Sequence, residues 1–149
     1  MIQPSDHNPS PLAMGESVAR LAVTRLMLTN FRSYSSIDIE TAARPVVLAG
    51  PNGAGKTNLL DAISLLSPGR GLRGARLGDH VRKGPVVQSD ALWAVAATVR
   101  RGETDYDIGT GLTIGPNGGE RRHVRLNGVE AKGSADLGDM VQMLWLTPA

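Results

Sequence analysis

The sequence contains no cysteine. That excludes a disulfide framework and thiolate-held zinc, and it fits a reducing, cytoplasmic interior. Aromatics are scarce. One Phe, two Trp and two Tyr among 149 residues leave Val, Leu, Ile, Ala and Met to fill any core. No apolar run approaches the length of a membrane span. The first twenty residues lack a basic start followed by an apolar stretch, so they do not read as a secretory signal. A strong net charge is missing too. The formal balance is +2 although the pI is about 9.4, so local clusters say more about anionic partners than the total does. The length suffices for one domain with a real core.

Glycine, by contrast, is plentiful, with 18 residues, and its densest informative use is at Gly50-Pro51-Asn52-Gly53-Ala54-Gly55-Lys56-Thr57. This stretch fits the phosphate-loop pattern G-x-x-x-x-G-K-[ST] at every fixed position. The apolar run Val46 to Ala49 before it has the length and β-branching of a buried strand. Thr57 opens a predicted helix through Leu59, Leu60, Ala62, Ile63, Leu65 and Leu66. Strand, glycine loop and helix form the context that confirms the pattern. Glycines at 50, 53 and 55 allow positive φ, so that backbone N–H groups can close on a phosphate. The helix start aims its positive dipole end at the same anion. Lys56 supplies a mobile charge for the β- and γ-phosphates, and the Thr57 hydroxyl suits Mg²⁺, a hard ion that prefers oxygen. The bland alternative, a glycine-rich turn with a chance Lys-Thr, explains neither the full match nor its context.

Residues 1–18 carry Pro4, Pro9 and Pro11 among Ser, Asn and Asp, and read as a disordered tail, with Met14 as an alternative start. Residues 19–149 read as one incomplete head domain. Leu21 to Leu28 is a strong strand. A polar connection, Thr29 to Tyr34, leads to a second strand with one wet face around Ser36 to Glu40, forming an antiparallel hairpin. Ala91 to Arg100 is a third strand. Tyr106 to Ile114 is a fourth, expected to be weakened or bulged by Gly109 and Gly111. Gly115 to Gly119 is a hairpin loop, His123 to Leu126 pairs back, and Asn127-Gly128 is a hairpin turn. Ala135 to Met140 reads as a short helix and Val141 to Leu146 as an apolar strand.

Between Arg70 and Lys83, five basic residues face one acid. Arg70, Arg73 and Arg76 form either a phosphate-contacting surface or a solvated loop, and composition leaves both open. His80 reads as a surface residue, since no His, Cys or acid lies at metal-site spacing. Arg121, Arg122 and Arg125 fit a phosphate surface or a solvated strand face equally well. Hydrolysis needs a carboxylate at the end of an apolar strand. No apolar run of four ending in Asp or Glu follows Thr57. Asp90, Asp105, Asp107, Asp136 and Asp139 have the wrong context for that carboxylate, and Gln142 and Asp139 remain only as groups that could act behind the direct ligands.

Leu26-Met-Leu-Thr-Asn-Phe-Arg-Ser-Tyr34, then the phosphate loop continuing as Asn58-Leu-Leu-Asp-Ala62, then Gly69-Arg-Gly-Leu-Arg-Gly74 and Trp145-Leu-Thr-Pro148, resemble the RecF family of bacterial DNA replication and repair proteins. The Asn-Phe-Arg element and the loop recur across SMC-type ATPase heads and fix only that superfamily. The helix continuation, the Gly-Arg-Gly stretch and the lack of a coiled coil favour RecF. The resemblance implies an α/β P-loop NTPase of the ATP-binding-cassette/SMC head type, an N-terminal lobe with an antiparallel β subdomain, truncated. It implies ATP and Mg²⁺ at Gly50 to Thr57. It further implies DNA at single-strand/double-strand gaps, RecO and RecR as partners in RecA loading, a role in the SOS response, and an ATP-dependent homodimer away from membranes. The family's signature motif, second acidic motif and helical arm have no counterpart in these residues, so ATP turnover is not expected of them alone. Rival readings are an SMC-type or transporter-type head fragment, or a truncated gene product.

Overall fold

The computed structural model describes residues 20–146. The expected tail at residues 1–18 lies outside the described residues. Strands β1 (Leu21–Phe31), β2 (Tyr34–Glu40), β3 (Trp93–Arg101), β4 (Thr104–Ile114), β5 (Glu120–Leu126) and β6 (Val129–Glu130) form one sheet in the order β2-β1-β3-β4-β5-β6. Every pairing is antiparallel. The first hairpin is tighter than its sequence suggests. β1 runs on through Asn30 and Phe31, because the Phe31 ring is fully buried and draws the backbone into the sheet. Asn127 and Gly128 both take positive φ, 49° and 79°, as the β5–β6 turn requires.

One face of the sheet is apolar because side chains alternate across it. Leu26 and Leu28 of β1, Trp93, Val95, Ala97 and Val99 of β3, Ile108 and Leu112 of β4 and Val124 of β5 are all buried. The helix α1 (Lys56–Ser64) belongs to the same core through Leu59 and Ala62, as do Leu65 and Leu66 just beyond it. Each such Val or Leu contributes roughly 1.5–3 kcal/mol over the exposed state. The helix stops at Ser64, short of the expected Leu66, and the chain then turns. The expected short helix near residue 135 is a 3-10 turn, Ser134–Asp139.

Three expectations fail. Gly109 and Gly111 do not bulge β4, whose register against β3 and β5 is unbroken. A Cβ on Gly111 would lie 2.9 Å from the Trp93 carbonyl, so glycine there permits a close backbone approach. Val46 to Ala49 is not a buried strand: it is extended but unpaired, with Val46 58% and Val47 87% exposed. Val141 to Leu146 is likewise unpaired, with Leu144 and Leu146 at least 90% exposed. Apolar β-branched sequence becomes strand only against a hydrogen-bonding neighbour. Among the described residues none pairs with either segment. No helix among them is long and apolar enough to cross a membrane.

Candidate nucleotide-binding site

The loop between Gly50 and Gly55 has the backbone its glycines allow. Gly53 and Gly55 sit at φ 85° and 89°, and Gly50 at 152°. Gly55 is the N-cap of α1 in the left-handed conformation, with no side chain capping the helix start. The first-turn N–H groups therefore face outward, where an anion is favoured. Lys56 Nζ lies across the mouth of the loop, donating to the carbonyls of Gly50 at 2.6 Å and Pro51 at 2.7 Å. The Thr57 side chain is exposed on the first turn.

The loop is pinned from the β1–β2 hairpin. The Tyr34 hydroxyl donates to the Gly55 carbonyl at 3.1 Å, and Asn58 Nδ2 donates to Ser33 Oγ at 3.0 Å. A Cβ at Gly55 would lie 2.6 Å from the Tyr34 hydroxyl, so that position needs glycine for space as well as for φ.

Behind the loop lies a group that sequence reasoning missed. Asp61, on the inner face of α1, is fully buried. Its Oδ2 accepts from Arg32 Nε at 3.0 Å and Arg32 Nη2 at 2.9 Å. His80 is not at the surface as expected. It is fully buried, stacked on Phe31 at 5.2 Å and edge-on to Trp93 at 5.7 Å, with Nδ1 3.6 Å from Asp61 Oδ2. Burial holds the imidazole pKa below its usual 6.5, against the pull of Asp61. Asp61 Oδ1 and both His80 ring nitrogens have no hydrogen-bond partner among the described residues. One signal was available: Asp61 is the only acid within the apolar helix pattern.

Arg122 also belongs to the frame. It donates to Leu65 O at 2.7 Å, Gly69 O at 2.5 Å and Thr110 Oγ1 at 2.9 Å, serving the open end of α1. Of the open readings of Arg122, phosphate or solvent, neither holds. Arg70, Arg73 and Arg76 are all exposed. Only Arg73 lines a hollow, with Arg32, Arg82, Lys83, Ser33 and Asn58. The structure does not bring the three arginines together there.

The profile of the RecF/RecN/SMC N terminal domain family matches residues 22–148. The chain belongs to that family. It is 45% identical over 131 residues to the DNA replication and repair protein RecF of Mesorhizobium japonicum, covering 88% of this chain and 33% of that one. Against RecF of Caulobacter vibrioides the identity is 50% over 133 residues, covering 89% and 34%. The chain thus spans about a third of the length of the curated relatives it matches. A solved structure described as the recombination mediator protein RecF with ATP superposes with a TM-score of 0.65 at 27% identity, over 80% of this chain and 31% of that one. A structure from work on ATP-driven dimerization and DNA-stimulated activation of SMC ATPases gives 0.61 at 25% identity, over 79% and 76%.

The fold is accordingly that of the RecF and SMC head type, with its antiparallel lobe. The RecF-family loop fits a nucleotide on its own geometry: left-handed glycines, an uncapped helix start and a cation at its mouth. For a metal the fit is narrower. No group of three His, Cys, Asp or Glu side chains occurs among the described residues. Thr57 offers an exposed hydroxyl on the first turn of α1, an oxygen that would suit Mg²⁺.

Proposed function

We propose that this chain supplies the ATP-binding half-site of a RecF-type protein of DNA repair and replication restart. The observation that carries the reading is the uncapped start of α1 behind three glycines of positive φ, with Lys56 Nζ at the mouth. The backbone from Gly50 to Gly55, including Pro51, Asn52, Gly53 and Ala54, wraps the phosphates of ATP. Lys56 exchanges its two carbonyl partners for phosphate oxygens. Thr57 would hold Mg²⁺ through its hydroxyl oxygen, and the ion would supply charge neutralisation for the phosphates.

Residues 19–149 act as the N-terminal part of the head. Arg70, Arg73 and Arg76 contact the DNA backbone. The whole protein works in the cytoplasm at gapped DNA, with RecO- and RecR-type partners and an ATP-dependent homodimer, in RecA loading and the SOS response. Support comes from the family and from the likeness to the RecF–ATP structure.

Titration calorimetry with ATP and Mg²⁺ tests the site. Lys56→Ala should weaken binding about thirtyfold, the ~2 kcal/mol of a lost charged hydrogen bond. Equal affinity in the two proteins rejects the assignment.

A further inference from the structure

We propose that Asp61 is a positioning residue for the phosphate loop: through its ion pair with Arg32 it holds the backbone that faces ATP. Asp61 is fully buried and does not itself reach a nucleotide. The role rests on the phosphate loop binding ATP, and it explains how that loop keeps its shape.

Three successive residues of the β1–β2 turn grip α1 in reverse order. Arg32 donates to Asp61, Ser33 accepts from Asn58, and Tyr34 donates to Gly55. The gripped positions lie three residues apart. At a rise of about 1.5 Å per residue, each step is about 4.5 Å along the helix. Consecutive Cα atoms of the turn are about 3.8 Å apart, so one residue of turn meets each step. The rungs differ in strength. The Asn58–Ser33 bond is neutral and exposed, so water can replace it. Asp61 Oδ2 takes both Nε and Nη2 of Arg32, at 3.0 Å and 2.9 Å, out of water. A charge-assisted pair is the stronger bond, so the deep rung fixes the ladder.

The turn needs that anchor. Arg32 and Asn30 both sit at φ 51°, which a non-glycine residue keeps only where its surroundings impose it. On one side, the Arg32 N–H donates to His80 O at 2.8 Å. Asn30 exchanges two hydrogen bonds with the Val87 backbone, at 2.8 Å and 2.9 Å. On the helix side the restraint is Asp61. The far rung reaches the anion site. The Gly55 carbonyl accepts from the Tyr34 hydroxyl at 3.1 Å and from the Leu59 N–H at 3.0 Å. A planar trans peptide holds its N–H opposite its C=O. Holding the Gly55 carbonyl on Tyr34 therefore aims the Lys56 N–H the other way, among the free N–H groups of the helix start. Without Asp61, the turn and that peptide lose their common anchor.

The test is titration calorimetry with ATP and Mg²⁺ on the full chain, at a temperature where urea titration shows every variant folded. Asp61→Asn keeps the shape and removes the charge, and should weaken ATP at least fivefold. Tyr34→Phe should weaken it by a smaller factor. The double variant should bind no worse than Asp61→Asn alone, because both changes act on one peptide. Val124→Ala, in the core on β5, also lowers stability but should leave affinity unchanged. If Asp61→Asn does not fold, Arg32→Lys takes its place. It keeps the charge and loses the paired donors. It should move the Lys56 amide signal in ¹⁵N NMR without nucleotide and weaken ATP at least twofold. Full affinity in folded Asp61→Asn, losses that multiply in the double variant, or an equal loss in Val124→Ala overturns the proposal. So does an unmoved Lys56 amide with full affinity in Arg32→Lys. Lys56→Ala separates the two readings. If it binds ATP like the parent, the phosphate-loop reading fails. If it loses ATP while Asp61→Asn does not, only the role of Asp61 fails.

Discussion

The two sides of α1 are built on opposite plans. Its start is an exposed arrangement of backbone. Gly53, Gly55 and the first-turn N–H groups do the work, and the one long side chain, Lys56, rests on carbonyls. Its inner face is a buried arrangement of side chains. Asp61 holds Arg32, and His80 is wedged between Phe31 and Trp93. The first can be altered with little effect on folding because water replaces whatever is lost. The second cannot, since a buried charge deprived of its partner has nothing to replace it. The proposed ligand contact Lys56 and the buried Asp61 are therefore only five positions apart in the chain.

The sharpest way to break this comparison is at Asp61. Asp61→Ala should cost about 3 kcal/mol or more in urea unfolding, the scale of a broken buried pair. Lys56→Ala should cost under about 0.5 kcal/mol, as for a surface change. Similar losses in the two variants would mean that the two sides are not distinct.

Acid offers a second probe. The folded-state pKa of His80 lies below 6.5, so above that pH the residue is neutral in both states and contributes nothing to pH dependence. Below 6.5 the unfolded chain takes up a proton that the fold resists. Stability should then fall with falling pH until the folded pKa is reached, with a slope of at most about 1.4 kcal/mol per pH unit for one proton. Melting from pH 7.5 to 5.5 should show the decline, and His80→Phe should flatten it. An equal decline in both proteins would place its origin in other groups.

The smallest effect is expected where the two sides meet the hairpin. Tyr34→Phe keeps the ring and removes one hydrogen bond to Gly55. It should lower stability by about 1 kcal/mol. ATP affinity should fall in the same variant, because Gly55 caps the helix that presents the N–H groups. Unchanged stability and affinity would show that the contact does not hold the loop.

The phosphate loop was legible because its requirements are local. Glycine is needed where φ is positive, and Gly-Lys-Thr follows one after another in the chain. The antiparallel hairpins were legible for the same reason, since Asn127-Gly128 and the alternation of Ile37 and Ile39 act between near neighbours. His80 was not legible as core because its neighbours mix polar and apolar residues, Asp79 on one side and Val81 then Arg82 on the other, and so give no clear burial pattern. Its cover comes from Phe31 and Trp93, distant in the chain. Arg122 was misjudged because a guanidinium at a strand edge looks alike whether it faces water or three acceptors. Val46 to Ala49 was misjudged in the other direction, since its apolar character guarantees no partner.

The sequence by itself determined the glycine loop, the cation at its mouth, the helix that follows and the strands closed by tight turns. In each case the deciding interaction spans only a few residues. Only the tertiary structure decided that Asp61 is buried against Arg32, that His80 is core, and that Arg73 joins Arg32, Arg82 and Lys83 while Arg70 and Arg76 stand apart. Burial and charge grouping are set by which segments the sheet brings together. That pairing is a sum over many distant contacts, and no single stretch of the chain contains it.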